Sequence, residues 1–137
     1  MADNNLFQLQ VISPDRVFYT GEVEMVEVKT TEGEMGIYKE HIPLTAIVAP
    51  GVLRIHENGN VKEAALLDGF IEITKKKVVI LAEACEWPDE IDINRANEAK
   101  IRAERRLKAG EGEINEVRAE MALRRSLTRL SLAEKYR

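Results

Sequence analysis

The sequence predicts a β-sandwich or barrel followed by a two-helix hairpin, and three observations carry that fold class. The apolar period changes from two to between three and four near residue 90. Six of the eight glycines and six of the seven aromatic residues lie before Pro88. The charge also reverses there: the first 87 residues hold 14 acidic and 8 basic side chains, and the last 50 hold 10 and 12. Pro88 marks the seam, since the residue before a proline is pushed towards extended backbone. Glu86 to Glu90 is therefore read as the linker between a domain of residues 1–87 and one of residues 88–137.

In the first domain Leu6 to Ile12 opens as a strand, Phe7, Leu9 and Val11 alternating with Gln8 and Gln10. Val26 and Val28 alternate with Glu27 and Lys29 in the same way. Val52–His56 and Val61–Leu67 flank Glu57-Asn58-Gly59-Asn60, and Asn-Gly between apolar runs is a hairpin signal. Asp68-Gly69 is read as a break before a further strand, Phe70–Thr74, and Lys75–Lys77 as the turn into Val78–Ala82. Short strands with turns this frequent predict a sandwich or barrel.

In the second domain Ala96, Ala99, Ala103 and Leu107 recur at helical spacing, with Asp92 as N-cap and Gly110 as C-terminal stop. Gly110-Glu111-Gly112 is read as a turn. A second helix starts near Glu113, with Ile114, Val117 and Met121 along one line and Leu123, Leu127 and Leu130 along another. Isolated helices of about 15 residues are marginal in water, so the pair must rely on neighbours or a ligand.

Composition excludes several classes. The chain of 137 residues is 45% apolar, enough for a real core. Its longest apolar runs, such as Val78–Ala82, fall far short of a membrane-spanning helix, which needs about 20 residues. The opening Met1-Ala2-Asp3-Asn4-Asn5 carries neither a basic nor an apolar signal region, so an intracellular protein without a transmembrane anchor is expected. A single cysteine, Cys85, and two histidines build neither an internal disulfide nor a common zinc site. No phosphate-cradling glycine loop, nucleophile elbow or paired-histidine metalloprotease motif occurs. His41 and His56 have no carboxylate or thiol partner by spacing and are read as structural or surface groups. Cys85 is read as a small hydrophobe, and an enzyme acting alone is not expected.

The helices carry the chemistry. Arg102 follows Arg95 by two turns, so Asp92, Arg95, Ala96, Ala99 and Arg102 share a stripe. Arg125 and Arg129 share a face of the second helix. In a hairpin these faces can present three or four guanidinium groups around a patch of small residues. Guanidinium forks suit phosphate oxygens, and alanines leave room for a flat ring. The same spacing fits a solvated surface laced with pairs such as Glu98–Arg102 and Glu120–Arg124, and spacing alone favours that reading. A nucleic-acid-binding module using the arginine-rich hairpin is a further alternative. The interleaved Glu98, Glu104, Glu116 and Glu120 and the net charge of −4 count against it.

One resemblance spans essentially the whole chain. Glu34-Met35-Gly36-Ile37, His41-Ile42-Pro43-Leu44, Gly69-Phe70-Ile71-Glu72, Val78–Ala84 and Ala103-Glu104-Arg105-Arg106-Leu107 stand in the order and spacing of the epsilon subunit of bacterial F-type ATP synthase. The chain departs from it at Tyr38-Lys39-Glu40, where that family often has a proline and a glycine. The tail resembles the bacillus-type branch, whose ATP-binding motif Ile/Leu-Asp-x-x-Arg-Ala is matched by Ile91-Asp92-Ile93-Asn94-Arg95-Ala96.

The resemblance implies a sandwich of about ten strands joined to a mobile helical hairpin, in a non-catalytic subunit. The implied partners are the gamma subunit, the ring of c subunits and, when the helices extend, the alpha/beta catalytic hexamer. In the extended state the tail would block ATP hydrolysis; about 45 residues of helix would span roughly 65 Å. ATP would be a regulatory ligand and not a catalytic cofactor, and the location would be peripheral, on the cytoplasmic face of the cell membrane. By position the implied ATP site comprises Glu86, Ile91, Asp92, Arg95, Ala96, Arg102, Arg125 and Arg129. The arginines would face phosphates, Asp92 and Glu86 the polar groups of adenine or ribose, and Ile91 and Ala96 would form apolar walls. A subunit of the same kind with a purely inhibitory arm and no ATP site is the alternative. If the domain boundary is right, a chain ending after Trp87 should show a cooperative thermal transition and a β-type circular dichroism spectrum; a molten product would place the boundary elsewhere.

Overall fold

The computed structural model describes residues 5–110 and 112–137. The chain divides into two compact units, residues 1–85 and 86–137. The first holds eight strands: β1 Phe7–Ser13, β2 Arg16–Val23, β3 Met25–Thr30, β4 Gly33–Ile37, β5 Leu44–Val48, β6 Gly51–Glu57, β7 Asn60–Ile73 and β8 Lys77–Glu86, whose last residue already belongs to the second unit. One layer runs β2-β1-β8-β7-β5, and the other joins β7, β6, β3 and β4. Thr30 of β3 pairs with Val48 of β5, so the two layers also meet along that edge. The inward positions are almost all aliphatic, as scarce aromatics require: Leu9, Val11, Val26, Leu53, Ile55 and Ile80 are fully buried. Strand alternation thus produces the core.

The strand count is eight rather than about ten, and β7 supplies part of the reason. The predicted break at Asp68-Gly69 is a bend inside one strand of 14 residues. Asp68 (φ 62°) and Gly69 (φ 136°) both take left-handed backbone, which kinks the strand without ending it. Before the kink β7 pairs with β6, Gly51 opposite Leu66; after it β7 pairs with β5, Val48 opposite Gly69. The dipeptide moves one strand from one layer to the other. Asn58-Gly59, by contrast, is the predicted hairpin turn, with φ 54° and 78° and Glu57 opposite Asn60. Glu40 also has positive φ (64°), inside the Tyr38–Glu40 segment that departs from the family pattern. His56 does have a carboxylate partner, Glu27 Oε2 at 2.6 Å, because β3 lies antiparallel to β6; sequence spacing had not exposed it.

From Glu86 the second unit runs into a 3₁₀ turn, Pro88–Glu90, inside the expected linker. The helices are α1, Ile93–Ala109, and α2, Glu113–Lys135. Asp92 caps α1, its Oδ1 accepting from the Arg95 amide at 3.1 Å, and Gly110 ends it in left-handed backbone (φ 62°, ψ 48°). The turn read at Gly110-Glu111-Gly112 includes Glu111, which lies outside the described residues, as do Met1–Asn4 of the opening segment. α1 and α2 pack along one another. Most of the buried positions are small and spaced by seven, Ala96 and Ala103 on α1 and Ala119, Ser126 and Ala133 on α2, and the larger Leu132 is buried beside Ala133. The line Ile114–Val117 is instead solvent-facing, Ile114 being 72% exposed. The small-residue line wins because it lets the helix backbones approach.

Gly69 is a position where glycine is required. A Cβ there would stand 2.0 Å from the Leu81 carbonyl oxygen of β8, on top of the positive φ. Gly69→Ala should therefore destabilise the first unit by more than about 3 kcal/mol, measured by denaturant unfolding. A loss under about 1 kcal/mol would show that β7 can shift to relieve the clash.

Candidate functional site

The helical unit positions the sequence-predicted residues by phase. At about 100° per residue, Arg95 and Arg102 lie on one flank of α1 measured from the buried Ala96. Arg125 and Arg129 lie on one flank of α2 measured from the buried Ser126. Because the helices run antiparallel about a short turn, those two flanks are on the same side of the pair. The four arginines thus share one face, as the sequence reading requires. Arg95 and Arg102 are exposed, and Arg125 and Arg129 half-buried.

The other four predicted residues are placed differently. Glu86 is engaged: Arg129 Nε donates to its Oε1 at 2.8 Å and Nη2 to its Oε2 at 3.3 Å. This two-pronged pair joins the start of the unit to the last turns of α2. Asp92 is exposed but already accepts the capping hydrogen bond, leaving its other oxygen for further contacts. Ile91 and Ala96 are buried, so in the folded hairpin they back the site rather than present open walls.

An open groove of about 500 Å³ lies on the opposite side of the pair, lined by Ile93, Asn97, Lys100, Leu127, Leu130 and Ser131 among others. None of the eight predicted residues lines it. Its apolar floor was visible in the sequence only as the Leu127 and Leu130 positions. In the first unit, Arg54 and the buried Glu63 pair at 2.9 Å from opposite register positions on β6 and β7. The Tyr19 hydroxyl is pushed up to about 12, first by burial and then by the Glu57 carboxylate. Both read as sheet architecture. Among the described residues no cluster of three metal-ligating side chains occurs, and no helix is long and apolar enough to cross a membrane.

The geometry is that of a β-sandwich followed by a helical hairpin with four arginines on one flank. Two family descriptions divide the chain in that way. Residues 6–88 match the ATP synthase delta/epsilon chain β-sandwich domain, and residues 89–134 match the long α-helix domain of the same chain. The chain belongs to the ATP synthase delta/epsilon family. An ATP synthase epsilon chain from Caldanaerobacter subterraneus subsp. tengcongensis is 48% identical over 131 residues, covering 95% of each chain. One from Halalkalibacterium halodurans is 46% identical over 126 residues, covering 91% of this chain and 95% of that one. A chain in the cryo-EM structure of Euglena gracilis mitochondrial ATP synthase superposes with a TM-score of 0.80 over 98% of this chain and 84% of that one. At 22% identity this likeness shows the shared fold. The family is one of non-catalytic stalk subunits, so this chain is a component of an assembly and not an enzyme by itself.

The capping bond of Asp92 can be tested by substitution. Asp92→Ala should cost the full chain about 1 kcal/mol of helix stability through loss of the cap, whereas Asp92→Ser should nearly retain it. Thermal melting followed at a helical circular dichroism wavelength checks this. Equal melting of the two variants would show that the cap contributes nothing measurable to the helix.

Proposed function

We propose that this chain is the epsilon subunit of an F-type ATP synthase, whose sandwich couples the catalytic sector to the c-ring and whose hairpin is an ATP-responsive brake. In this reading the sandwich docks on gamma and on the c-ring at the cytoplasmic face of the membrane. The hairpin, when extended, reaches the alpha/beta hexamer and inhibits hydrolysis. ATP binds the folded hairpin and holds it away from that state.

The observation that carries the ATP reading is the convergence of Arg95, Arg102, Arg125 and Arg129 on one side of the folded pair. Guanidinium forks match phosphate oxygens, and a triphosphate is long enough in charge and acceptors to engage several of them. Extending the helices would separate the α1 arginines from those of α2. The ligand therefore has a higher affinity for the folded state, which is the only way that a ligand can shift the equilibrium. The docking reading draws on an apolar row across the outer face of the first layer. Ile12 pairs with Val17 and with Leu81, and Ile47 pairs with Phe70. Gly69 abuts Leu81, which brings Phe70 alongside. Ile47 is 63% exposed and Val17 58%, and exposed apolar runs of this kind mark protein contacts.

The test pairs binding with inhibition. Arg95→Ala/Arg102→Ala should weaken ATP binding by the full chain more than about tenfold in calorimetric titration, because hydrogen bonds to charged groups are worth roughly 1.5–3 kcal/mol each. Reconstituted into the ATP synthase, the same variant should keep hydrolysis suppressed at ATP concentrations that release the wild type. Unchanged affinity in a folded variant would sink the arginine site; ATP-independent inhibition by the wild type would leave the arm a brake without a sensor.

A further inference from the structure

The groove of about 500 Å³ on the side of the helix pair away from the arginines carries its charges in a definite order. Its apolar floor is Ile93, Leu127 and Leu130, and Lys100 and Glu134 also line it. Ala96 and Ser126 lie level across the seam, which fixes the heights of the rest. From that level Leu127, Ile93 and Leu130 stand one, three and four residues towards the open end of the hairpin. Lys100 stands four residues towards the turn, and Glu134 eight towards the open end. The cation and the anion are thus equally far, about 9 Å along the axis, from a point within the apolar floor. Leu127 on that floor is 44% exposed. Among the described residues neither Lys100 nor Glu134 has an ion-pair partner within the chain.

A surface whose opposite charges stand equidistant from an apolar centre is complementary to itself under a two-fold rotation. We propose that this groove is the contact by which two copies of the chain pair, hairpin on hairpin, with the helices antiparallel across the interface. The two-fold axis crosses the helices at the apolar floor. It lays Ile93, Leu127 and Leu130 of one copy over those of the other and brings each Lys100 to the height of the other copy's Glu134. Lys100 follows the seam residue Ala96 by one turn, so it stands near the mid-line of the groove, within reach of the facing α2. Like charges stay about 18 Å apart along the axis, well beyond a Debye length. A parallel arrangement would instead set lysine level with lysine and glutamate level with glutamate, so charge selects the antiparallel one. Three apolar side chains per copy make a small core, and pairing is accordingly weak and reversible. Both helices build the groove, so pairing holds the hairpin folded by mass action, and it does so independently of any nucleotide.

Sedimentation equilibrium of the full chain without ATP, at concentrations up to about 0.5 mM, should show a reversible monomer–dimer equilibrium. Leu127→Ser should weaken it more than about tenfold, since the lost apolar contact counts twice by symmetry. Lys100→Glu and Glu134→Lys should each weaken it to a similar degree, because each replaces two attractions with two repulsions. The double variant Lys100→Glu/Glu134→Lys should return the dimer to within about threefold of wild type. Within one copy the two groups stand about 18 Å apart along the hairpin, so that recovery can come only from across the interface. Helical circular dichroism establishes that each variant is folded; where a single reversal unfolds the helices, the double variant and Leu127→Ser carry the test. A wild type that stays monomeric throughout overturns the proposal and leaves the groove to a different protein. So does a dimer that Leu127→Ser and the single reversals leave intact, which is seated elsewhere on the chain, and so does a double variant as weak as the single ones.

Discussion

Close approach of α1 to α2 depends on the absence of bulk along their shared seam. Ala96, Ala103, Ala119 and Ser126 are all buried, and Ala103 and Ala119 lie equally far from the turn, as do Ala96 and Ser126. Ser126 could have made the seam polar, but its hydroxyl donates back to the Ala122 carbonyl within α2 at 3.0 Å. A leucine at any of these positions would push the helices apart and carry the flanking arginines with them. The same seam limits stability. A buried CH₂ is worth about 0.8 kcal/mol; the alanines supply few of them, and Leu132 is the large side chain that α2 fully buries. The hairpin is therefore close-packed and weakly held at once.

Charge then decides how such a hairpin behaves. Arg95, Arg102, Arg125 and Arg129 lie on one flank, so like charges are brought near one another on the folded pair. Glu86 offsets part of that positive charge through its pair with Arg129. Under the proposed function, a weakly packed pair of this kind would respond to a bound polyanion. A strongly packed pair with leucines on the seam would fold whether or not an anion were present. In the proposed reading the small-residue seam keeps the two states close in energy and the arginine flank makes their balance depend on ligand.

Much of this was legible in the sequence because it is local. Asp92 and Gly110 cap α1 by rules that act within one turn, and Asn58-Gly59 makes its hairpin by its own backbone preferences. The shared flank of the arginines follows from spacing and a short turn. What stayed hidden depends on pairing between distant residues. Asp68-Gly69 looks like a turn in isolation and becomes a kink only because β5 and β6 wait on either side of it. The His56–Glu27 contact needs the β3–β6 register, and the Glu86–Arg129 pair needs α2 folded back to the start of its unit. Ile114 and Val117 looked like a core line because they are apolar at helical spacing, yet the seam goes to the residues that allow the backbones to approach, not to the most hydrophobic ones.

The two units differ in how much they lose on rearrangement, and that difference bears on what each can do. The sandwich buries a continuous aliphatic core and fixes β7 through a glycine that admits no side chain, so its strands cannot shift singly. It suits a part that must transmit force without deforming. The hairpin keeps Ile101, Ile114, Val117 and Leu127 largely exposed while folded. Apolar side chains left in water cost a folded state part of its advantage, and any conformation that buries them against a partner recovers about 25 cal/mol for each Å² covered. Those residues lie away from the seam, so a partner that draws the helices apart competes with the hairpin as a whole. Under the proposed function the exposed apolar line and the thin alanine seam set one balance: a partner surface would draw the helices out, and a nucleotide at the arginine flank would draw them back.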